Sequence, residues 1–335
     1  FQANVNEADL ELLSRLAELP WESRCKVVED VNCQLQSNCL ISLPMSHEIL
    51  VCQVLAFLRD AFGKDELNAQ RMGSELLLAL VRKSRNQIVC LDTDAFSLLM
   101  SFLDSESEVT DVALAILEAL SSHSYYRSIL SASGALVSLI ELLDSPNKKF
   151  QEAVIKVLHG ISSDSEICSQ IVSLGCIPRL VPFISDGKLA RYCIELLKNL
   201  CDTEEARVSL AESNGCIASI AGLLENGSHE EQEHGVEVLL SLCSMRVEYC
   251  HLVMSEMIIP SLVFITNNGS DKGKARALEL LRQLRDVDFE YEEESVEPDV
   301  NTSREADNFV QEKEPSPKAR GGFFRKKFGF LKNRS

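Results

Sequence analysis

Apolar residues recur along this chain in a two-turn helical pattern, Leu-x-x-Leu or Leu-x-x-Ile, at Leu77/Leu80, Leu117/Leu120, Leu158/Ile161, Leu197/Leu200, Leu239/Leu242 and Leu281/Leu284. The copies are separated by 40, 41, 39, 42 and 42 residues, the mark of a repeat architecture. A second marker runs in phase with the first. It is a Gly or turn residue followed by an apolar helix: GALVSLIELL from Gly134, GCIPRLVPFI from Gly175, GCIASIAGLL from Gly215 and MIIPSLVFI from Met257, with DAFSLLMSFL from Asp94 as an earlier copy. The two markers predict a unit with a short helix ending near the Gly, a second helix, a polar turn, and a longer third helix closing on the Leu-x-x-Leu. The predicted turns carry breakers, among them Asp144-Ser145-Pro146-Asn147, Ser185-Asp186-Gly187, Glu225-Asn226-Gly227-Ser228 and Asn267-Asn268-Gly269-Ser270. No helix of this length covers its own apolar stripe. Neighbouring units must stack to bury it, which predicts an all-α, right-handed superhelical solenoid of about six units.

Pro178 and Pro260 fall in the first turn of a second helix, where a missing N–H costs little. Pro182 lies deeper and should kink or shorten its helix. Residues 8–36 predict two amphipathic helices broken at Leu19-Pro20, the second running through Val27, Val28, Val31 and Leu35 and capping the stack; 37–46 reads as a loop, and Glu48 to Leu58 begins the first full unit. The expected domains are therefore a cap and loop over 1–46, repeats over 47–286, an acidic disordered linker over 287–320 and a basic aromatic tail over 321–335.

Charge changes this picture mainly at the end of the chain. The formal net charge is -18, which argues against a nucleic-acid surface over most of the chain and for a neutral or basic partner. Residues 286–314 carry twelve acids against Arg304 and Lys313, whereas 318–335 carry seven bases and no acid. Twelve cysteines sit mostly at apolar helical positions with no CxxC pair, so we expect reduced core thiols rather than a disulfide framework or a zinc site. No run of about 18 apolar residues and no signal peptide is evident. The chain opens at Phe1 rather than Met, and we expect it to be part of a longer protein. The expected location is cytoplasmic, with the nucleus and the periphery of the plasma membrane as alternatives.

The three-helix unit with its Gly-apolar turn and closing Leu-x-x-Leu resembles the armadillo repeat over roughly residues 47–286. LAELPWESRCKVVEDV, from Leu16 to Val31, and the terminal GGFFRKKFGFLKN are similar to segments of the plant U-box armadillo proteins, a family of ubiquitin-protein ligases. The resemblance implies that the repeats bind a ubiquitination substrate or a regulatory kinase, while a U-box recruits the ubiquitin-conjugating enzyme. The sequence contains no U-box segment, so the expectation is a partner-selecting region whose parent is the ligase. An armadillo scaffold unrelated to ubiquitin is the leading alternative and a nuclear transport adaptor the next. The adaptor lacks its recognition rows of Asn and Trp, since only Asn199 matches and the sole Trp is Trp21.

Candidate binding residues follow from the third-helix register, which places i, i+3 and i+4 positions on one face. Glu195, Glu237 and Glu279, with Lys156 in the same row, precede Asn199 and Lys198 by a turn or mark the equivalent place in other units. Asp111, Glu152, Arg191 and Glu233 lie a further turn back. These rows suggest an acidic concave stripe for a basic partner, with Asn199 and Lys198 anchoring backbone or acidic groups. The plain alternative is a solvated helix face. His159 falls near the groove without a nucleophile or orienting acid assignable to it, and no Gly-rich phosphate loop or metal-ligand spacing appears; neither a catalytic residue nor a cofactor is expected. In the tail, Phe323, Phe324, Arg325, Lys326, Lys327 and Phe328 would suit an anionic membrane surface, a docking peptide or a nuclear-targeting patch. Ser316, before Pro317, is a candidate site for a proline-directed kinase.

Overall fold

The computed structural model describes residues 7–37, 47–83, 91, 93–104, 109–121 and 123–294, and every described element is helical. The amino-terminal cap is α1 (Glu7–Ser14), a 3-10 turn (Leu16–Glu18) and α2 (Trp21–Ser37). Two units follow with two described helices each: α3 (His47–Gly63) with α4 (Leu67–Lys83), and α5 (Thr93–Asp104) with α6 (Thr110–Ser121). Four units have three. They are α7 (Ser124–Ala132), α8 (Ala135–Glu141) and α9 (Lys148–Ile161); α10 (Ser165–Ser173), α11 (Cys176–Ile184) and α12 (Ala190–Leu200); α13 (Glu204–Glu212), α14 (Cys216–Asn226) and α15 (His229–Cys243); and α16 (Val247–Ser255), α17 (Ile259–Asn268) and α18 (Asp271–Glu294).

The repeat holds because each closing pair of leucines is buried. From Leu77/Leu80 to Leu281/Leu284 none of the twelve residues is more than 2% exposed. Each such side chain contributes about 1.5–3 kcal/mol of burial free energy, gained only when a neighbouring unit lies over it. The third helices accordingly pack as one layer, α2 on α4, α4 on α6, α6 on α9, α9 on α12 and α12 on α15. First helices α7, α10 and α13 form a second row, and second helices α11, α14 and α17 a third.

First and second helices meet nearly at right angles, 83° at α7–α8, 92° at α10–α11 and 88° at α16–α17. The sharp corner requires a left-handed residue, and Gly134, Gly175 and Gly215 supply it with φ of +77°, +74° and +76°. Met257 takes the same place in the last unit with φ +52° and a side chain 80% exposed. Asp94, aligned with these glycines by sequence, instead lies in the first turn of α5 and has no positive φ. The corner predicted at Asp94 is therefore not formed by that residue.

A hydrogen bond from a buried or half-buried side chain closes the turn between second and third helices in several units. Gln70, Thr110, Gln151 and Gln232 donate to the carbonyls of Ala61, Phe102, Leu143 and Leu224, all at the position seven residues before the closing Leu pair. Each bond satisfies a helix C-terminal carbonyl that lacks an internal partner. Two of the third helices, α9 and α15, begin on side-chain caps: Asn147 accepts from Lys149, and Ser228 forms a capping box with Glu231. Pro178 and Pro260 sit early in α11 and α17, while α11 ends two residues after Pro182.

The cap is fastened by the segment that carried the family resemblance. Trp21 stacks on Phe57 with ring centroids 5.1 Å apart, and its indole N–H donates to the Glu66 carboxylate at 3.0 Å. Arg24 donates to the Leu19 and Ala17 carbonyls and pairs with Asp60 of α3, tying the 3-10 turn to the first unit.

One boundary differs from expectation. The acidic stretch predicted to begin a disordered linker at 287 starts inside α18, which continues to Glu294. The apolar stripe of Ala277, Leu280, Leu281 and Leu284 runs on to a buried Val287, and glutamate-rich sequence does not oppose a helix. Ser316 and the tail residues Phe323, Phe324, Arg325, Lys326, Lys327 and Phe328 lie outside the described residues.

Candidate partner-binding trough

Burial of one stripe of each third helix leaves the opposite stripe facing outward from the layer. Between α12, α15 and α18 those residues form a trough of about 930 Å³, lined by Lys198, Asn199 and Asp202, by Glu237 and Ser241, and by Arg276, Glu279, Gln283 and Asp286. Four of the candidates, Lys198, Asn199, Glu237 and Glu279, thus share one surface. Asp202, Arg276 and Asp286 were missed by the sequence reading. Arg276 had a usable signal, since it lies one turn before Glu279, the residue one repeat after Glu237.

Within the acidic stripe expected from Glu195, Glu237 and Glu279, histidine and arginine side chains from the same or the adjacent helix meet these acids. The Glu195 carboxylate lies 3.0 Å from His159 Nε2 on α9. Glu237 lies 3.5 Å from His234 Nδ1 and 3.8 Å from Arg276 Nε on α18, and Glu279 is 3.1 Å from the same guanidinium. Further back, Lys156 pairs with Glu152 at 2.9 Å, Arg191 with Glu230 at 3.2 Å, and Glu233 accepts from Ser270. Asp111 stands apart on α6 as an exposed residue. A single register row samples one residue per helix, so it misses a counter-charge offset by one unit. The trough keeps a net acidic lining all the same, with four acids against Lys198 and Arg276.

Asn199 is also partly committed. Its amide donates to Ser162 Oγ at 2.8 Å, and Ser241, one unit on, donates to the Cys201 carbonyl at 3.0 Å. These side chains tie the end of one third helix to the next. Glu195 is held below the ordinary carboxylate range: burial pushes its carboxyl up, but hydrogen bonding and charge from His159, with His234 and Lys198, outweigh it. The His159 ring packs edge-on against Tyr192, 5.3 Å between centroids. The nearby Ser162 hydroxyl donates to the His159 backbone carbonyl, not to the ring, so the pair does not have the geometry of a nucleophile and its base.

Four of the buried thiols are also poor candidates for nucleophiles. Desolvation lifts Cys168 to about 11 and Cys176, Cys201 and Cys216 to about 12, where little thiolate exists at neutral pH. Among the described residues no three His, Cys, Asp or Glu side chains gather as a metal site, and no single helix is long and apolar enough to cross a membrane. The arrangement is suited to holding a polypeptide by charge and hydrogen bonding.

Comparison with known proteins agrees with the geometry. A designed armadillo repeat protein solved in complex with the peptide (KR)4 superposes with a TM-score of 0.56 at 18% identity, covering 70% of this chain and 99% of that one. An engineered protein superposes with a TM-score of 0.65 at 17% identity over 82% of this chain and 67% of that one. U-box domain-containing protein 5 of Arabidopsis thaliana is 36% identical over 233 residues, 69% of this chain and 32% of the relative. U-box domain-containing protein 7 of the same plant is 28% identical over 222 residues, 64% of this chain and 28% of the relative. The chain thus spans about a third of the length of these curated relatives. The family described as the plant U-box protein ARM repeat region matches residues 40–291, and with the stacked helices, the left-handed corners and the third-helix layer in place, this chain belongs to that family.

Proposed function

We propose that this chain is the partner-selecting region of a plant U-box-type ubiquitin ligase, and that the trough of α12, α15 and α18 takes up a basic segment of the substrate or regulator. The observation that carries this reading is the trough lining, where Asp202, Glu237, Glu279 and Asp286 outnumber Lys198 and Arg276 on a surface built from three successive units. Such a surface attracts Lys and Arg, while Lys198 and Asn199 fix register along a backbone. The (KR)4 ligand of the designed armadillo neighbour is a basic peptide of the kind envisaged. The ubiquitin role rests on the names of relatives that are more than twice as long, and the chemistry is assigned to their remaining length.

The test is a fluorescence-anisotropy titration of (KR)4 at low salt against the chain and against the double variant Glu237→Lys/Glu279→Lys. Binding should weaken at least tenfold in the variant and fall with rising ionic strength. Equal affinity of the two proteins would place the basic ligand elsewhere. Fusing the chain to a U-box and assaying ubiquitin transfer to a protein that binds the trough then separates a ligase adaptor from a plain scaffold.

A further inference from the structure

A second concavity, about 890 Å³, lies on the other rows of helices, between α10, α11 and α13. Its floor is apolar, with buried Val172, half-buried Val181 and Val208 and exposed Pro178. Its edge carries Glu204, Glu205 and Glu212 of α13 and no Lys or Arg. Glu204 reaches Arg246 of the following unit at the limit of an ion pair, 4.0 Å. Glu205 and Glu212 are exposed and make no ion pair among the described residues, in contrast to Glu237 and Glu279 across the layer.

We infer that this cleft is a separate docking site for a short extended segment in which apolar residues are flanked by Lys or Arg. Charge complementarity selects the flanking residues, since two carboxylates border the apolar floor without a counter-charge of their own. Spacing selects the conformation. Glu205 and Glu212 are two turns apart on one helix, about 10 Å along its axis. A segment in the extended polyproline-II conformation, with three residues per turn and about 3.1 Å rise, repeats one face between residues i and i+3 at about 9 Å, which places two bases over the two glutamates while an intervening apolar side chain turns to Val208 and Val181. The inner trough offers no equivalent floor: among its lining residues only Leu240 and Val287 are apolar, and both lie among ion-paired side chains. The two surfaces therefore fit different ligands, one basic throughout and one basic at its ends with an apolar centre.

The probe is a fluorescein-labelled peptide containing Lys-Leu-Val-Lys between Gly-Ser flanks, titrated by anisotropy against the whole chain. The double variant Glu205→Lys/Glu212→Lys should weaken binding about tenfold or more, and Val208→Asp should do the same. Glu237→Lys/Glu279→Lys should leave it within twofold, which distinguishes this site from the trough. Replacing Leu-Val by Ser-Ser in the peptide should abolish the difference between wild type and Val208→Asp. Circular dichroism of each variant at equal concentration confirms that the helices persist. Loss of the probe with the trough variant, equal binding by wild type and the Glu205→Lys/Glu212→Lys protein, or an unaffected Ser-Ser peptide would each overturn the inference.

Discussion

On the third-helix layer, Glu195, Glu237 and Glu279 each have an arginine or histidine partner within 4 Å, whereas on the opposite rows Glu205 and Glu212 have none among the described residues. The surfaces are comparably acidic by composition and differ in pairing. On the third-helix layer, some partners lie on the same helix and others on a neighbouring unit, as with His159–Glu195 and Arg276–Glu237, and the latter also hold register between units. On the cleft, α13 presents its acids beside an apolar floor with nothing across from them but solvent. Net charge therefore tells what a face attracts, while pairing tells how much of that attraction is already used inside the protein.

The comparison breaks most completely if the support common to both faces is removed. Leu200 is fully buried at the end of α12, which lines the trough and also packs on α10 behind the cleft. Leu200→Ala leaves a cavity in a layer that cannot collapse without shifting its neighbours, and should cost about 2–5 kcal/mol in urea unfolding followed by circular dichroism. Both peptide sites should weaken together. A loss well under 1 kcal/mol would mean that this layer is not packed as described.

Charge reversal sharpens the comparison at a smaller scale. Glu237→Lys puts a cation beside Arg276 and His234 on a side chain only 24% exposed, and should cost about 1 kcal/mol. Glu212→Lys removes no ion pair and places a positive charge at the end of α13, where the helix dipole favours it, so stability should stay within about 0.5 kcal/mol. Chemical denaturation of the two variants at equal ionic strength measures the difference. Equal losses would mean that the trough pairs contribute no more than solvated surface charge.

The fold was legible because its signal is redundant: one buried Leu pair per unit, repeated six times, survives local irregularity. The Gly corners were legible at Gly134, Gly175 and Gly215, where a positive φ demands that residue type. They failed at Asp94, whose flanking pattern matched while its backbone did not. The Gln70, Thr110, Gln151 and Gln232 bonds passed unnoticed, since a polar residue at one register position looks like surface until the carbonyl it satisfies is seen. Site residues were partly legible. The register placed Lys198, Asn199, Glu237 and Glu279 on one face, but the partners of the acids lie on other helices or other turns. The outer cleft gave no periodic signal at all, because its floor comes from three helices of two units.

The smallest effect is a pH dependence on the third-helix layer. Glu195 has a side chain 29% exposed and a carboxylate 3.0 Å from His159 Nε2, and its carboxyl is held below the ordinary range. A carboxyl depressed in the folded state contributes stability that is fully present above its unfolded value, about 4.3, and that disappears as pH falls through the lower folded value. Glu195→Gln keeps the shape and removes the charge, so the variant should be less stable than wild type at pH 7, by no more than about 1 kcal/mol for a pair this close to solvent. The gap between their urea midpoints should hold down to about pH 5 and narrow below pH 4 as the wild-type carboxylate is protonated. Glu212→Gln, with no ion pair to lose, serves as the control from the cleft. A gap for Glu195→Gln that is the same at pH 3 and pH 7 would detach this residue from its cation partners and with it the contrast between paired and unpaired acids.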